Sequence, residues 1–160
     1  MIKVIIAGHG ELPSRLLSTV ESITGAIPDC QAISINPGEG RRELRHKIGI
    51  TLEKFGRQEK FLFLTDVFGG SASNIGFSFA SEYKMKIVTG VNLPMLLELA
   101  NYRELEDLDE LAFKLLRVGR DSILMADDLL KDRRRRLWGM IMERGRKWRW
   151  WRKILRSRMS

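Results

Sequence analysis

The sequence predicts an α/β fold, a three-layer sandwich with a mostly parallel central sheet and helices on both faces. Three observations carry that expectation. Short apolar runs rich in Ile, Val, Leu and Phe recur at Lys3–Ala7, Gln31–Ile35, Lys60–Thr65 and Met85–Thr89. Segments of helical length separate them, at Leu12–Thr24, Arg41–Phe55 and Ser71–Tyr83. Within the runs, apolar residues do not alternate with polar ones, as expected of strands covered on both faces. Strand–helix–strand order then implies parallel neighbours joined by right-handed crossovers.

Each element carries its own punctuation. Pro13 suits the first turn of the first helix, where a missing N–H costs nothing, and Gly25 suits the position just past its end. Asn36-Pro37-Gly38 closes the second strand with turn residues. Gly69-Gly70 separates the third strand from a helix opened by Ser71. Pro94 again fits a first turn, of a helix reaching about Asn101. A further helix over about Leu105–Val118 is expected to stop before Gly119. Ser122–Ala126 reads equally as a short strand or as more helix.

The totals narrow the class. The apolar content of 44% is ordinary for a globular chain, and no apolar run approaches the roughly 18–20 residues that cross a bilayer. The first apolar stretch is short and runs straight into Gly8-His9-Gly10, which suits a buried strand better than a secretory signal. A single cysteine, Cys30, permits no internal disulfide and fits a reducing cytoplasm. The net charge of +8 divides unevenly. Residues 1–130 hold 15 Lys and Arg against 18 Asp and Glu, whereas residues 131–160 hold 13 against 2. All four tryptophans, Trp138, Trp148, Trp150 and Trp151, lie in that last stretch. Two regions follow: a mildly acidic domain over 1–130 and a basic, tryptophan-rich extension over 131–160.

In an open α/β sheet, reactive groups gather beyond the carboxyl ends of the strands. That rule selects Gly8-His9-Gly10-Glu11, Asp66-Val67-Phe68-Gly69-Gly70-Ser71 and Gly90-Val91-Asn92-Leu93-Pro94. Neutral imidazole is a good nucleophile near pH 7, and flanking glycines leave room for a bulky reactant beside His9. A phosphoryl group on imidazole nitrogen keeps a high transfer potential, so one residue can receive and donate it. Asp66 can fix the ring tautomer and stabilise the charge that develops on it. Gly69, Gly70 and Ser71 open a helix whose free N–H groups favour phosphate. The bland readings are a loop histidine, a turn-capping Asp66 and an ordinary Gly-Gly-Ser turn. Their coincidence favours chemistry.

Other chemistries fit less well. The sequence has no Gly-x-x-x-x-Gly-Lys-Ser/Thr loop and no dinucleotide fingerprint. His9 stands where a phosphoaspartate receiver would carry acidic residues. One cysteine and two distant histidines give a zinc site little support. His46, among Arg42, Arg45 and Lys47, reads as a solvated helix position.

Four segments in order make a further point. They are Val4-Ile5-Ile6-Ala7-Gly8-His9-Gly10, Asn36-Pro37-Gly38-Glu39, Leu64-Thr65-Asp66-Val67-Phe68-Gly69-Gly70-Ser71, and Val88-Thr89-Gly90-Val91-Asn92-Leu93-Pro94-Met95-Leu96-Leu97-Glu98. With them, residues 1–126 resemble the enzyme IIA component of mannose/fructose/sorbose-type bacterial phosphotransferase systems. The resemblance implies that His9 takes phosphate from the phosphocarrier protein HPr and passes it to an enzyme IIB partner serving a membrane IIC/IID transporter. Asp66 would bond Nδ1, leaving Nε2 to carry the phosphate, with no metal or organic cofactor. Phe68, Gly10, Pro37 and Asn92 are then read as facing protein partners. The resemblance also implies a homodimer formed by exchange of a C-terminal strand, which would fall at Ser122–Ala126. Val67 and Phe68 stand where some members carry threonine and tryptophan. The helix also lacks a proline often found second.

The extension departs furthest from the family. Arg133–Arg136 and Lys147-Trp148-Arg149-Trp150-Trp151-Arg152-Lys153 suit an anionic membrane surface. The same composition also suits nucleic acid, or an extension with no task. Two rivals to sugar transport stand. One is a regulatory or dihydroxyacetone-kinase-linked IIA domain with the same histidine. The other is a non-catalytic binding module acting through its basic tail.

Overall fold

A computed structural model describes residues 1–102 and 107–125. Four strands, β1 (Ile2–His9), β2 (Cys30–Ile35), β3 (Lys60–Thr65) and β4 (Lys84–Thr89), form one sheet in the order β2-β1-β3-β4. Every pairing is parallel. Helices α1 (Leu12–Thr24), α2 (Arg41–Phe55), α3 (Ser71–Phe79), α4 (Leu93–Tyr102) and α5 (Leu108–Asp121) cover it. The α/β expectation holds, with a sheet that is wholly parallel among the described residues.

Strand alternation sorts the core into two layers. Ile5, Ala7, Phe61 and Phe63 face α2 and α3, where they pack with Leu44, Ile48, Leu52, Ala72, Ile75 and Phe79. The intervening Val4, Ile6, Leu62 and Leu64 are fully buried on the other face, which α1, α4 and α5 cover. Burying such side chains supplies about 1.5–3 kcal/mol each. Two glycines permit close approach of helices. A Cβ at Gly76 of α3 would fall 2.8 Å from the Phe63 ring, and one at Gly119 of α5 would fall 2.8 Å from Met95 of α4.

Of the boundaries that differ from expectation, three have a plain local cause. β1 continues through His9, because its pairing with β2 runs on to Ile35. α3 ends at Phe79 and not at Tyr83. There the Ala80 N–H turns back to the Phe77 carbonyl, and the Glu82 and Tyr83 N–H groups both reach the Phe79 carbonyl. Tyr83 is buried all the same, its ring edge-on to Phe61 with centroids 5.6 Å apart. α5 continues through Gly119 to Asp121, since that glycine is a packing position and not a stop. Asp107 caps its start by accepting the Asp109 N–H at 2.8 Å.

The compact unit spans Met1–Ser122. Ser122 is a turn and 123–125 take no regular structure in the single chain. Ala126 and the extension over 131–160 lie outside the described residues, as does the expected boundary at 130. Among the described residues no helix is long and apolar enough to cross a membrane.

Candidate functional site

Strand order brings the first and third loops together. β1 and β3 are neighbours, with Ala7 opposite Thr65, so the residues that follow emerge side by side at the carboxyl edge. Asp66 Oδ2 accepts the His9 backbone N–H at 2.8 Å and lies 2.7 Å from His9 Nδ1. Its Oδ1 accepts the Val67 N–H at 2.8 Å. A carboxylate cannot donate, so in the neutral ring Nδ1 carries the proton and Nε2 keeps its lone pair. The His9 side chain is 56% exposed and that of Asp66 only 11%, so the imidazole is open while the carboxylate on it is sheltered.

Burial alone would push the Asp66 carboxyl up. The hydrogen bonds from the His9 backbone, the His9 ring and the Val67 backbone outweigh it and hold the carboxyl below its ordinary value. The group is therefore ionised at neutral pH, with its charge directed at the ring.

Gly8 makes this contact possible. A Cβ there would lie 2.8 Å from Asp66 Cγ and 2.9 Å from Oδ2. Sequence reasoning assigned the space beside His9 to an approaching reactant, yet on this side Asp66 itself fills it. The Gly-His-Gly pattern signals small residues but not what occupies the space they leave. Gly10, with φ of +56°, meets nothing within 4 Å at the Cβ position, so its constraint is backbone conformation.

The same loop approaches the ring again further along. Gly69 has φ of +78°, and Gly70 is the extended N-cap of α3, with Ser71 the first helical residue. A Cβ on Gly70 would sit 3.5 Å from His9 Cε1, the ring carbon between the two nitrogens. The start of α3, with its unpaired N–H groups, therefore lies against the imidazole. Phe68 projects outward, 75% exposed, edge-on to Phe77 at 6.3 Å. Val67 is 49% exposed and brings no hydroxyl.

The outer loops behave differently. Pro37 is exposed in the turn after β2. That turn is braced by Glu39, whose Oε2 accepts the Asn36 N–H at 3.0 Å and whose Oε1 meets Lys47 Nζ at 2.5 Å. The Asn36 N–H, then Lys47, hold the Glu39 carboxyl below its ordinary value. Asn92 is engaged at both ends. Its Oδ1 accepts the Met95 N–H at 3.2 Å as the cap of α4, and its Nδ2 donates to the Gly119 carbonyl at 3.2 Å.

The family model described as PTS system fructose IIA component matches residues 3–116. The chain belongs to this family. The fructose-specific EIIA component of Bacillus subtilis (strain 168) is 35% identical over 132 residues, 82% of this chain and 90% of the relative. The mannose-specific EIIAB component of Escherichia coli (strain K12) is 31% identical over 124 residues. That match takes in 76% of this chain but 38% of that longer protein. Among solved structures, EIIA from Streptococcus agalactiae superimposes with a TM-score of 0.74 at 28% identity, covering 80% of this chain and 99% of that one. The IIA family assignment makes this chain a component of the sugar phosphotransferase system, and the expected family resemblance stands.

Proposed function

We propose that this IIA chain is a histidine phosphocarrier, with His9 as nucleophile and Asp66 as the group that orients and charges its ring. The observation that carries the reading is the 2.7 Å contact between His9 Nδ1 and Asp66 Oδ2 on an otherwise exposed imidazole. In the forward step the phosphorus–nitrogen bond of phosphorylated HPr breaks as one forms to His9 Nε2. The Nδ1 proton stays on the ring, and the added positive charge faces the Asp66 carboxylate. N–H groups around Gly69, Gly70 and Ser71 receive the phosphoryl oxygens. Transfer to an enzyme IIB partner repeats the exchange with His9 as leaving group, and Phe68, with Gly10 and Pro37, forms part of the surface partners meet. Incubation with phosphoenolpyruvate, enzyme I and HPr tests it. An acid-labile, alkali-stable gain of one phosphate is expected on the wild type and none on a folded His9→Ala variant. A folded wild type that gains none defeats the reading.

Two further parts of the reading concern assembly. The outer edge of β4 has no strand neighbour among the described residues, and an apolar groove of about 350 Å³ runs along it. Phe68 and Phe77 line one side and Phe113 and Leu116 the other, with Ile87 between. A free strand edge beside apolar side chains is a place for an added strand, which supports a homodimer. Light scattering should then give twice the 18.5 kDa chain mass, and a monomer at all accessible concentrations would exclude it.

On this reading the carrier acts in the cytoplasm, and the 131–160 extension holds it at the anionic inner face of the membrane near its IIC/IID transporter. Sedimentation with phosphatidylglycerol vesicles should fall when Arg133–Arg136 become Gln and Trp148, Trp150 and Trp151 become Ser. Unchanged sedimentation would remove the membrane role.

A further inference from the structure

Asn74 lies outside every group assigned so far, four residues beyond the paired glycines. Its side-chain Nδ2 donates to the Gly69 carbonyl at 2.9 Å. Its backbone N–H donates to the Gly70 carbonyl at 3.1 Å, and the Ser73 hydroxyl adds a second donor there at 3.0 Å. Two consecutive carbonyls of the Gly-Gly turn are thus drawn toward the body of α3. In a planar trans peptide the N–H points opposite to the preceding C=O. The Gly70 and Ser71 N–H groups are therefore turned away from Asn74, and it is Gly70 that borders the His9 ring.

The Gly70 carbonyl is held by the first helical hydrogen bond, so the helix itself secures it. The Gly69 carbonyl is different. It precedes the helix, and no second donor reaches it among the described residues. With φ of +78° at Gly69 and another glycine next, a flip of this peptide meets little steric resistance. A flipped peptide would present a carbonyl oxygen where an N–H had been, and that oxygen would repel phosphoryl oxygens.

The geometry points to Asn74 as a positioning residue for phosphoryl transfer. Its amide holds the Gly69 carbonyl turned aside and so keeps the N–H groups at the start of α3 available to the phosphate. This inference rests on His9 being the phosphate carrier. Asn74 is exposed and forms no part of the core, and alanine is a stronger helix former than asparagine, so its loss should leave the fold intact.

The test is single-turnover transfer from phosphorylated HPr to the full chain, with the donor varied to separate half-saturation from the rate at saturation. For Asn74→Ala the rate at saturation should fall about tenfold, with half-saturation and melting temperature unchanged. Asn74→Asp should fall further at pH 8, because the introduced carboxylate faces a carbonyl oxygen. Its rate relative to wild type should recover only as the pH is lowered toward about 4, where the carboxyl begins to hold its proton and can donate as the amide does. Rates for both variants within roughly twofold of wild type at saturation would overturn the assignment. So would a loss tracking melting temperature alone. A folded wild type that takes no phosphate overturns the phosphocarrier reading and this inference together, whereas normal wild-type transfer with indifferent variants removes only the latter.

Discussion

The loops after β1 and β3 meet, whereas those after β2 and β4 stand to either side and serve their own helices. All four leave the same edge of one parallel sheet, and the motifs in all four helped to identify the family. Only the central pair exchanges side-chain contacts that suit chemistry: Asp66 lies on the His9 ring and Gly70 lies against its edge. In the outer pair the polar groups close on themselves. Glu39 bonds back to Asn36, and Asn92 caps α4 and ties it to Gly119 of α5. A shared edge is therefore not enough for a site. Adjacency in strand order is needed but does not suffice, since β2 also borders β1 and β4 also borders β3, and the polar side chains Glu39 and Asn92 of the outer motifs are taken up in holding their turns.

The sharpest way to break this contrast is to remove charge from the centre without removing shape. Asp66→Asn keeps the side-chain size but can turn an amide N–H₂ toward Nδ1, favouring the tautomer with its proton on Nε2. Transfer from phosphorylated HPr should slow by about 10²- to 10⁴-fold, as when orienting carboxylates are lost elsewhere. Rapid-quench measurement of phosphorylated protein reads it. A loss below threefold in folded protein would show that Asp66 is a turn cap and no more. Gly8→Ala attacks the same contact from beneath. Its added carbon meets Asp66 Cγ at 2.8 Å, so the carboxylate must move from the ring. A stability loss of about 1–3 kcal/mol is expected, with slowed transfer that an unaltered His9 does not rescue. Denaturant melts alongside the transfer assay separate the two effects.

Acid sharpens the comparison further. The Asp66 carboxyl is held below its ordinary value, so the folded state binds its proton less readily than the unfolded state. Its stabilising contribution is then complete above the unfolded value of about 3.9 and declines as pH falls through the lower folded value. The stability difference between wild type and Asp66→Asn that comes from this carboxyl should shrink as pH falls below about 4. A difference that grew over that same acid range would mean that burial had won over the hydrogen bonds.

Much of this arrangement was legible in the sequence, for identifiable reasons. α1, α2 and β3 fall on the expected bounds because Pro13 and Gly25 bracket the first helix, while composition changes sharply at Arg41, Phe55, Lys60 and Thr65. The sequence expectation carries α3 to Tyr83 on segment length alone, whereas the helix ends at Phe79. Tyr83 is buried, but a turn carries it there. Gly119 was read as a stop because glycine usually ends helices, and its use as a contact point for Met95 requires knowing that α4 packs on α5. His9 and Asp66 were identifiable as residue types at strand ends. That they touch depends on β1 and β3 being neighbours, which no local pattern states. The role of Gly8 was hidden for the same reason, since the atom it makes way for lies 58 residues further along the chain.

Asn92 gives the smallest expected effect and tests the other half of the contrast. The sequence reading set it facing a partner, yet both ends of its amide are already taken up within the domain. Asn92→Ala removes a helix cap and the bond to Gly119, which should cost about 0.5–2 kcal/mol of stability. Transfer to and from His9 should be unchanged, because neither bond reaches the central loops. Calorimetry and the single-turnover assay together decide the point. If transfer instead falls while stability holds, the β4 loop contacts the partner directly. The division between a reactive centre and self-supporting flanks would then give way to a site spanning at least three of the four strands.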